Sequence, residues 1–329
     1  MRQFIGSLAE GDSVDEVYLA AEKLLRTNRN GQPYIQIELR DRSGSITGRL
    51  WNAGETQFRT FEAGDYLRVR GKVQVFQNAL QMILTGFTLV PESEVDVNDF
   101  LPHADADISG LLDRLRALLR SIREPNLKAL GEAFLIDDDF VQRLAAAPAG
   151  VKNHHAYIGG LLEHVVTLMD AADRLAPLYP GVDRDLFLMG VFLHDVGKVR
   201  ELGYEGSFSY TDEGQLVGHL VIGVEMLNEK SRKAAELTGE PFPRELLVRM
   251  QHVIVSHHGS YEFGSPKLPM TPEAVAIAAL DNLDAKINLV VGELQADRST
   301  SAWTAYSPTM QRRFFKGGIG LPDSSPPLT

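Results

Sequence analysis

With 329 residues, 44% of them hydrophobic, the chain is long enough for two domains that each bury a core. A net charge of −11 excludes a protein that coats nucleic acid through bulk positive charge. The absence of cysteine excludes disulfides and thiolate-held zinc or iron–sulfur sites, and no apolar run approaches the ~20 residues of a membrane helix.

The opening Met1-Arg2-Gln3-Phe4-Ile5 lacks the apolar core of a signal peptide. Together with the missing cysteines this fits a cytoplasmic location and no membrane partner. Residues 14 to 90 then carry a β signature. Tyr34 to Leu39 alternates, with Ile35, Ile37 and Leu39 on one face. Asp41-Arg42-Ser43-Gly44-Ser45 reads as a turn, and Ile46 to Trp51 alternates again. Glu55 to Phe61 suits a short helix that ends at Ala63-Gly64-Asp65. Tyr66 to Phe76 alternates over eleven positions, and Leu80 to Val90 reads as one or two further strands. Five or so short strands with one small helix predict a small all-β barrel of the OB-fold, Greek-key type over residues 1–90.

Charge is uneven within that segment. From Lys23 to Lys72 there are ten Lys/Arg against five Asp/Glu, a surplus of five inside an acidic chain. One face of the long strand reads Tyr66, Arg68, Arg70, Lys72, Gln74, Phe76. Guanidinium groups bind phosphates and rings stack on bases, so Arg68, Arg70, Lys72 and Phe76 are candidates for gripping a single strand. A solvated face, with Phe76 and Trp51 packed at the barrel ends, is the competing reading.

Pro91 to Asp99 is acidic and aperiodic, and residues 91–107 are expected to form a linker. The period changes at Ile108. Ile108, Leu111, Leu112, Leu115, Leu118, Leu119 and Ile122 mark an amphipathic helix. Further helices are predicted over 126–134, 138–146, 160–175, 184–194, 218–237, 244–256 and 272–294. Residues 108–315 therefore read as an all-α bundle, and the Gly/Pro/Ser-rich residues 316–329 as a disordered tail.

Eight of the nine histidines fall in the helical part. The apolar run Leu186 to Leu193 ends abruptly in His194-Asp195, two hard-to-bury groups side by side. His164 interrupts Leu161-Leu162 and Val165-Val166, His219 opens the next helix, His257-His258 closes another, and Asp281 follows the run Ala274 to Leu280. A lone histidine on an apolar helix is usually a hydrogen-bonded core residue. Five helices that each present a metal-competent group make a shared cluster the better reading. Imidazole and carboxylate ligands suit Mn, Fe, Ni or Zn.

In order and multiplicity, His164 … His194-Asp195 … His219 … His257-His258 … Asp281 resembles the HD phosphohydrolase superfamily in its seven-residue, two-metal form, across roughly residues 150–295. The resemblance implies two divalent metal ions, manganese first, with Fe, Ni, Zn or Mg as alternatives. It implies that Asp195 bridges them, with His164, His194 and Asp281 on one and His219, His257 and His258 on the other. Lys198 matches the lysine after HD-x-G that helps hold substrate phosphate. Two close metals can bind a phosphate, activate water near neutral pH and stabilise the leaving oxygen, and Lys198 adds positive charge where negative charge grows. Asp195 and Lys198 are thus the catalytic candidates. Asp284, three residues beyond Asp281 on the same helix face, is expected to orient a ligating histidine.

The segment after His258, Gly259-Ser260-Tyr261-Glu262-Phe263-Gly264-Ser265-Pro266, lacks the Gly-Tyr-Pro expected in the cyclic-dinucleotide branch. Asn153-His154-His155, Gly160 to His164, Gly264 to Lys267 and Leu280 to Lys286, behind an OB-type barrel, are similar to the YhaM-type 3′→5′ exoribonucleases. That resemblance covers nearly the whole chain. It implies metal-dependent removal of nucleotides from the 3′ end of single-stranded RNA, with single-stranded DNA as a further substrate. His154 and His155 either contact substrate phosphates or pack. The competing functions are an HD-domain phosphohydrolase of nucleotides or cyclic dinucleotides, and a non-catalytic RNA-binding protein. A homo-oligomer presenting several barrels around one entrance is compatible with all of them.

Overall fold

The structure is a computed structural model and describes residues 2–28, 30–76, 79–100, 107–150, 157–203, 209–297, 299 and 301–317. Five strands, β1 (Ser13–Thr27), β2 (Pro33–Asp41), β3 (Gly44–Trp51), β4 (Tyr66–Phe76) and β5 (Ala79–Val90), close into a barrel in the order β1-β2-β3-β5-β4. The β3–β5 pair is parallel and the other pairs are antiparallel. A one-turn helix, α1 (Glu55–Phe58), lies between β3 and β4. The inward positions Ile35, Ile37, Leu39, Leu67, Val69 and Val73 join Tyr18, Met82 and Leu84 in one buried core, as the two-residue period requires.

β1 is a 15-residue strand that pairs with both β2 and β4 and carries a bulge between Ala20 and Glu22. The bulge breaks the alternation, so no clean period marks this strand in the sequence. Residues 91–100, read above as the start of a linker, are docked on the barrel instead. They form two 3₁₀ turns, and Phe100 is fully buried against Leu19 and Tyr66. The Arg2 guanidinium lies 4.3 Å from the Phe100 ring and donates to Asp99 at 2.8 Å. Tyr66 is therefore covered and does not belong to the exposed face of β4.

The helical part comprises α2 (Ile108–Arg120), α3 (Pro125–Leu135), α4 (Asp138–Ala146), α5 (Gly160–Leu175), α6 (Arg184–Leu193), α7 (Lys198–Glu201), α8 (Asp212–Leu216), α9 (His219–Thr238), α10 (Arg244–Ser256) and α11 (Pro272–Ala296). A two-stranded ribbon, β6 (Leu202–Gly203) and β7 (Ser209–Tyr210), follows α7. α6 is the axis of the bundle, with Leu186 to Leu193 all buried and α5, α10 and α11 packed around it. Its start is fixed by Asp183, whose carboxylate accepts from Asp185 N and Leu186 N. Gly190 lets α11 approach, since a Cβ there would lie 2.5 Å from Ile277 Cδ1.

The short elements α7, α8, β6 and β7 are too brief to show a period. The described residues run on through 316 and 317, the first two of the expected tail. Lys316 N donates to Ala302 O, and Lys316 Nζ is paired with Asp297 at 3.0 Å. Residues 318–329 lie outside the described residues. No described helix is long and apolar enough to cross a membrane.

Candidate metal centre and nucleic-acid face

His194 caps the carboxyl end of α6, and Asp195 follows in a tight turn: Val196 N donates to Leu193 O and Lys198 N to Asp195 O. Gly197 allows that turn to press on α9, because a Cβ there would meet His219 O at 2.1 Å. α5 brings His164, α9 begins with His219, α10 ends in His257-His258, and α11 brings Asp281. These seven side chains meet in one place.

The two oxygens of Asp195 face different partners. Oδ2 lies 3.4 Å from His194 Nε2 and 3.8 Å from His164 Nε2. Oδ1 lies 3.4 Å from His257 Nε2 and 3.6 Å from His219 Nε2. Asp281 Oδ1 completes the first group at 3.3 Å from His164 Nε2. His258 Nε2 completes the second at 3.2 Å from His219 Nε2.

Each of the four innermost imidazoles is pinned at Nδ1. His194 bonds to the Val191 carbonyl at 2.6 Å and His257 to the Ile254 carbonyl at 2.8 Å. His164 bonds to Asp284 and His219 to Glu201, both at 2.9 Å. In the neutral ring, an acceptor at Nδ1 keeps the hydrogen there and turns the Nε2 lone pair inward. Asp284 thus sits where its spacing from Asp281 suggests. Glu201 has no such signal in the sequence, because it lies in the four-residue α7, beyond the turn that follows Asp195. Its carboxylate also accepts from His219 N.

The charges converge without full compensation. Burial opposes ionisation of Asp195, yet Lys198 and His194 hold its carboxyl well below the ordinary range. Lys198 Nζ donates to Asp195 Oδ2 at 2.7 Å and is raised by it against the cost of burial. Burial also disfavours a charged His164, but Asp281 and Asp284 outweigh it and lift its pKa to about 9. His257, desolvated on every side, is pushed down to about 4. Among the described residues, buried Asp195 Oδ1 and His258 Nδ1 have no hydrogen-bond partner. Converging lone pairs, a split carboxylate and an orphaned buried oxygen fit divalent cations that accept nitrogen and oxygen donors. His154 and His155 lie outside the described residues.

On the barrel, the candidate residues divide. Arg68 Nε and Arg70 Nε are 2.7 and 3.4 Å from Asp15, a β1 neighbour that the strand's own pattern does not reveal. Lys72 and Phe76 point outward at the other end of β4. There the Arg49 guanidinium of β3 lies 5.2 Å from the Phe76 ring. Tyr34 and Trp51, register partners across β2 and β3, stack at 4.7 Å with Trp51 exposed. Tyr34, Arg49 and Trp51 were not among the candidates. They become one outer face with Phe76 only when the barrel closes and brings β3 beside β5.

The HD domain model matches residues 161–286, and the OB-fold nucleic acid binding domain model matches residues 18–90. The 3′-5′ exoribonuclease YhaM of Bacillus subtilis is 37% identical over 281 residues, 85% of this chain and 87% of that protein. The YhaM proteins of Bacillus pumilus and Bacillus velezensis are 36% and 37% identical over 85% and 84% of this chain. Similarity of that extent runs through both the barrel and the helical part, and the chain belongs to the YhaM 3′-5′ exoribonuclease family.

Proposed function

We propose that the protein is a metal-dependent exoribonuclease that removes nucleotides from the 3′ end of single-stranded RNA, and acts on single-stranded DNA as well. The observation that carries this reading is the split of the Asp195 carboxylate between two groups of imidazoles whose Nδ1 atoms are pinned. His164, His194 and Asp281 would hold one divalent cation and His219, His257 and His258 a second, with Asp195 between them and manganese the first choice. When bound, such a pair supplies charge stabilisation at the phosphate and water activation near neutral pH.

The chain's own residues do the rest. Asp284 and Glu201 hold His164 and His219 in one tautomer and one orientation. Lys198 keeps a positive charge beside the centre, where charge builds on the phosphate. No side chain need act as a covalent nucleophile. On the barrel, the Tyr34–Trp51 stack and the Arg49–Phe76 pair suit successive bases and phosphates of a single strand. Arg68 and Arg70, already shared with Asp15, contribute less.

Incubation with Mn²⁺ and 5′-labelled single-stranded RNA tests the reading, with nucleotides and cyclic dinucleotides in parallel. A ladder that shortens from the 3′ end is expected. Turnover of the small substrates over intact RNA would overturn it. Full activity of His194→Ala and Asp195→Ala would remove the metal assignment whatever the substrate.

A further inference from the structure

Beyond α11, and outside the residues that the HD domain model matches, the chain makes a small hairpin over residues 302–316. Trp303 and Phe315 face each other as an antiparallel bridge, and Ser307 and Arg312 form a second. Thr304 N donates to Phe314 O, and Ser307 N to Arg312 O. The base of the hairpin is polar and satisfied. Asp297 accepts from Ala305 N, Ser299 N and Lys316 Nζ, and Glu293 accepts from Ser307 Oγ.

The outer face is the opposite. Trp303, Tyr306 and Phe315 are 50%, 56% and 60% exposed. Trp303 and Phe315 lie against each other with ring centroids 5.1 Å apart. Arg312 and Arg313 are exposed, and among the described residues neither has a carboxylate partner. From Arg298 to Pro322 the sequence contains no Asp or Glu, in a chain whose net charge is −11. The two carboxylates beneath, Glu293 and Asp297, are taken up by the hairpin's own donors. Exposed rings and exposed guanidinium groups carried on one short hairpin are the chemistry of a single-strand platform, with stacking that any base satisfies and phosphate contacts that need no sequence.

We propose that this hairpin is a second single-strand binding surface, which holds the RNA several nucleotides upstream of the 3′ end under hydrolysis. The proposal rests on the ribonuclease reading for its substrate. The hairpin is anchored at Glu293 and Asp297, roughly 18–24 Å along α11 from Asp281 at ~1.5 Å per residue. A strand with its 3′ end at the metal centre must be several nucleotides long to reach it, about five to seven if stacked at the ~3.4 Å rise of a helical strand and fewer if stretched. Long substrates therefore feel the hairpin and dinucleotides do not.

The test pairs Trp303→Ala/Phe315→Ala with Arg312→Gln/Arg313→Gln in the full chain. Binding of 5′-fluorescein-labelled RNAs of three and twenty nucleotides is read by anisotropy in EDTA, where no hydrolysis is needed. Each pair is expected to weaken the 20-mer at least tenfold and leave the 3-mer nearly unchanged. The arginine pair should also flatten the salt dependence by about 1.4 units of log Kd per log salt, at ~0.7 per lost phosphate contact. Turnover of a dinucleotide with Mn²⁺ should equal that of the parent. Trp303→Phe/Phe315→Tyr should restore 20-mer binding, which separates loss of stacking from loss of folding. Unchanged 20-mer affinity overturns the proposal. So does a change of oligomeric mass by light scattering with RNA binding intact, which would make the hairpin a contact between copies. Should the parent bind RNA but hydrolyse only small nucleotides, the ribonuclease reading fails and the anisotropy still decides the hairpin.

Discussion

At the scale of single residues, the histidines and Asp281 announce themselves in the sequence because each interrupts an apolar stretch or closes a helix. What holds them does not. Two of the four Nδ1 partners are backbone carbonyls, which no side-chain pattern encodes. Glu201 looks like any surface acid until the α7 turn brings it to His219. Asp284→Asn and Glu201→Gln are each expected to cost 10–100-fold in Mn²⁺ affinity, while kcat at saturating Mn²⁺ recovers towards the parent. Calorimetric titration measures this, and unchanged affinity in both variants would remove their orienting role. A second expectation concerns protons. With its pKa raised to about 9, His164 in the metal-free protein is an imidazolium at pH 7. A cation must displace that proton, so apparent affinity should rise up to tenfold per pH unit and level off near pH 9. Titration in buffers of different ionisation enthalpy should report proton release at pH 7. In the metal-free fold the same shift stabilises fully below the unfolded value of ~6.5 and is lost as pH climbs through about 9.

Among the elements, α4, α5, α10 and β4 could be read to the residue, since each carries an unbroken period between clear stops. β1 could not, because its bulge falls among its most buried residues. The outer face of the barrel was legible only in part. Parity along β4 places Arg68, Arg70, Lys72 and Phe76 together, but pairing with β1 gives the first two to Asp15. Trp51→Ala with Tyr34→Ala should therefore weaken single-strand binding by ~1–3 kcal/mol per stacked base, and Arg68→Gln by much less. Filter binding at fixed salt distinguishes the two, and a larger effect at Arg68 would reverse the assignment. The contact between α9 and the turn before α7 gives a further expectation. A Cβ at Gly197 would sit 2.1 Å from His219 O and 2.8 Å from Gly223 N, both backbone. Gly197→Ala should cost ~1–3 kcal/mol through overpacking and loosen the His219 side of the centre. A melting temperature and Mn²⁺ affinity equal to the parent's would mean that this contact yields freely.

For the molecule as a whole, the barrel is closed on itself by β1 and clasped by residues 91–100, so the connection to α2 begins later than composition suggests. Phe100 is the key of that clasp. Phe100→Ala should destabilise the barrel by ~3–5 kcal/mol, visible as a lower barrel transition in thermal unfolding. An unshifted transition would show the clasp to be ornamental. The ligand set has a larger reach. His164 and its partner Asp284 are 120 residues apart, and every other candidate ligand lies between them. A cation held there ties together five helices that are otherwise joined by packing and a few hydrogen bonds such as His164–Asp284. At a free concentration 100 times its Kd it would add about 2.7 kcal/mol to folding. The protein's lifetime then becomes a function of metal supply. When the ion is scarce, the pool of idle enzyme is also the pool most open to proteases, so depletion removes the nuclease instead of merely silencing it. Trypsin should cut the chelated protein many times faster than the loaded one, at sites within residues 157–297.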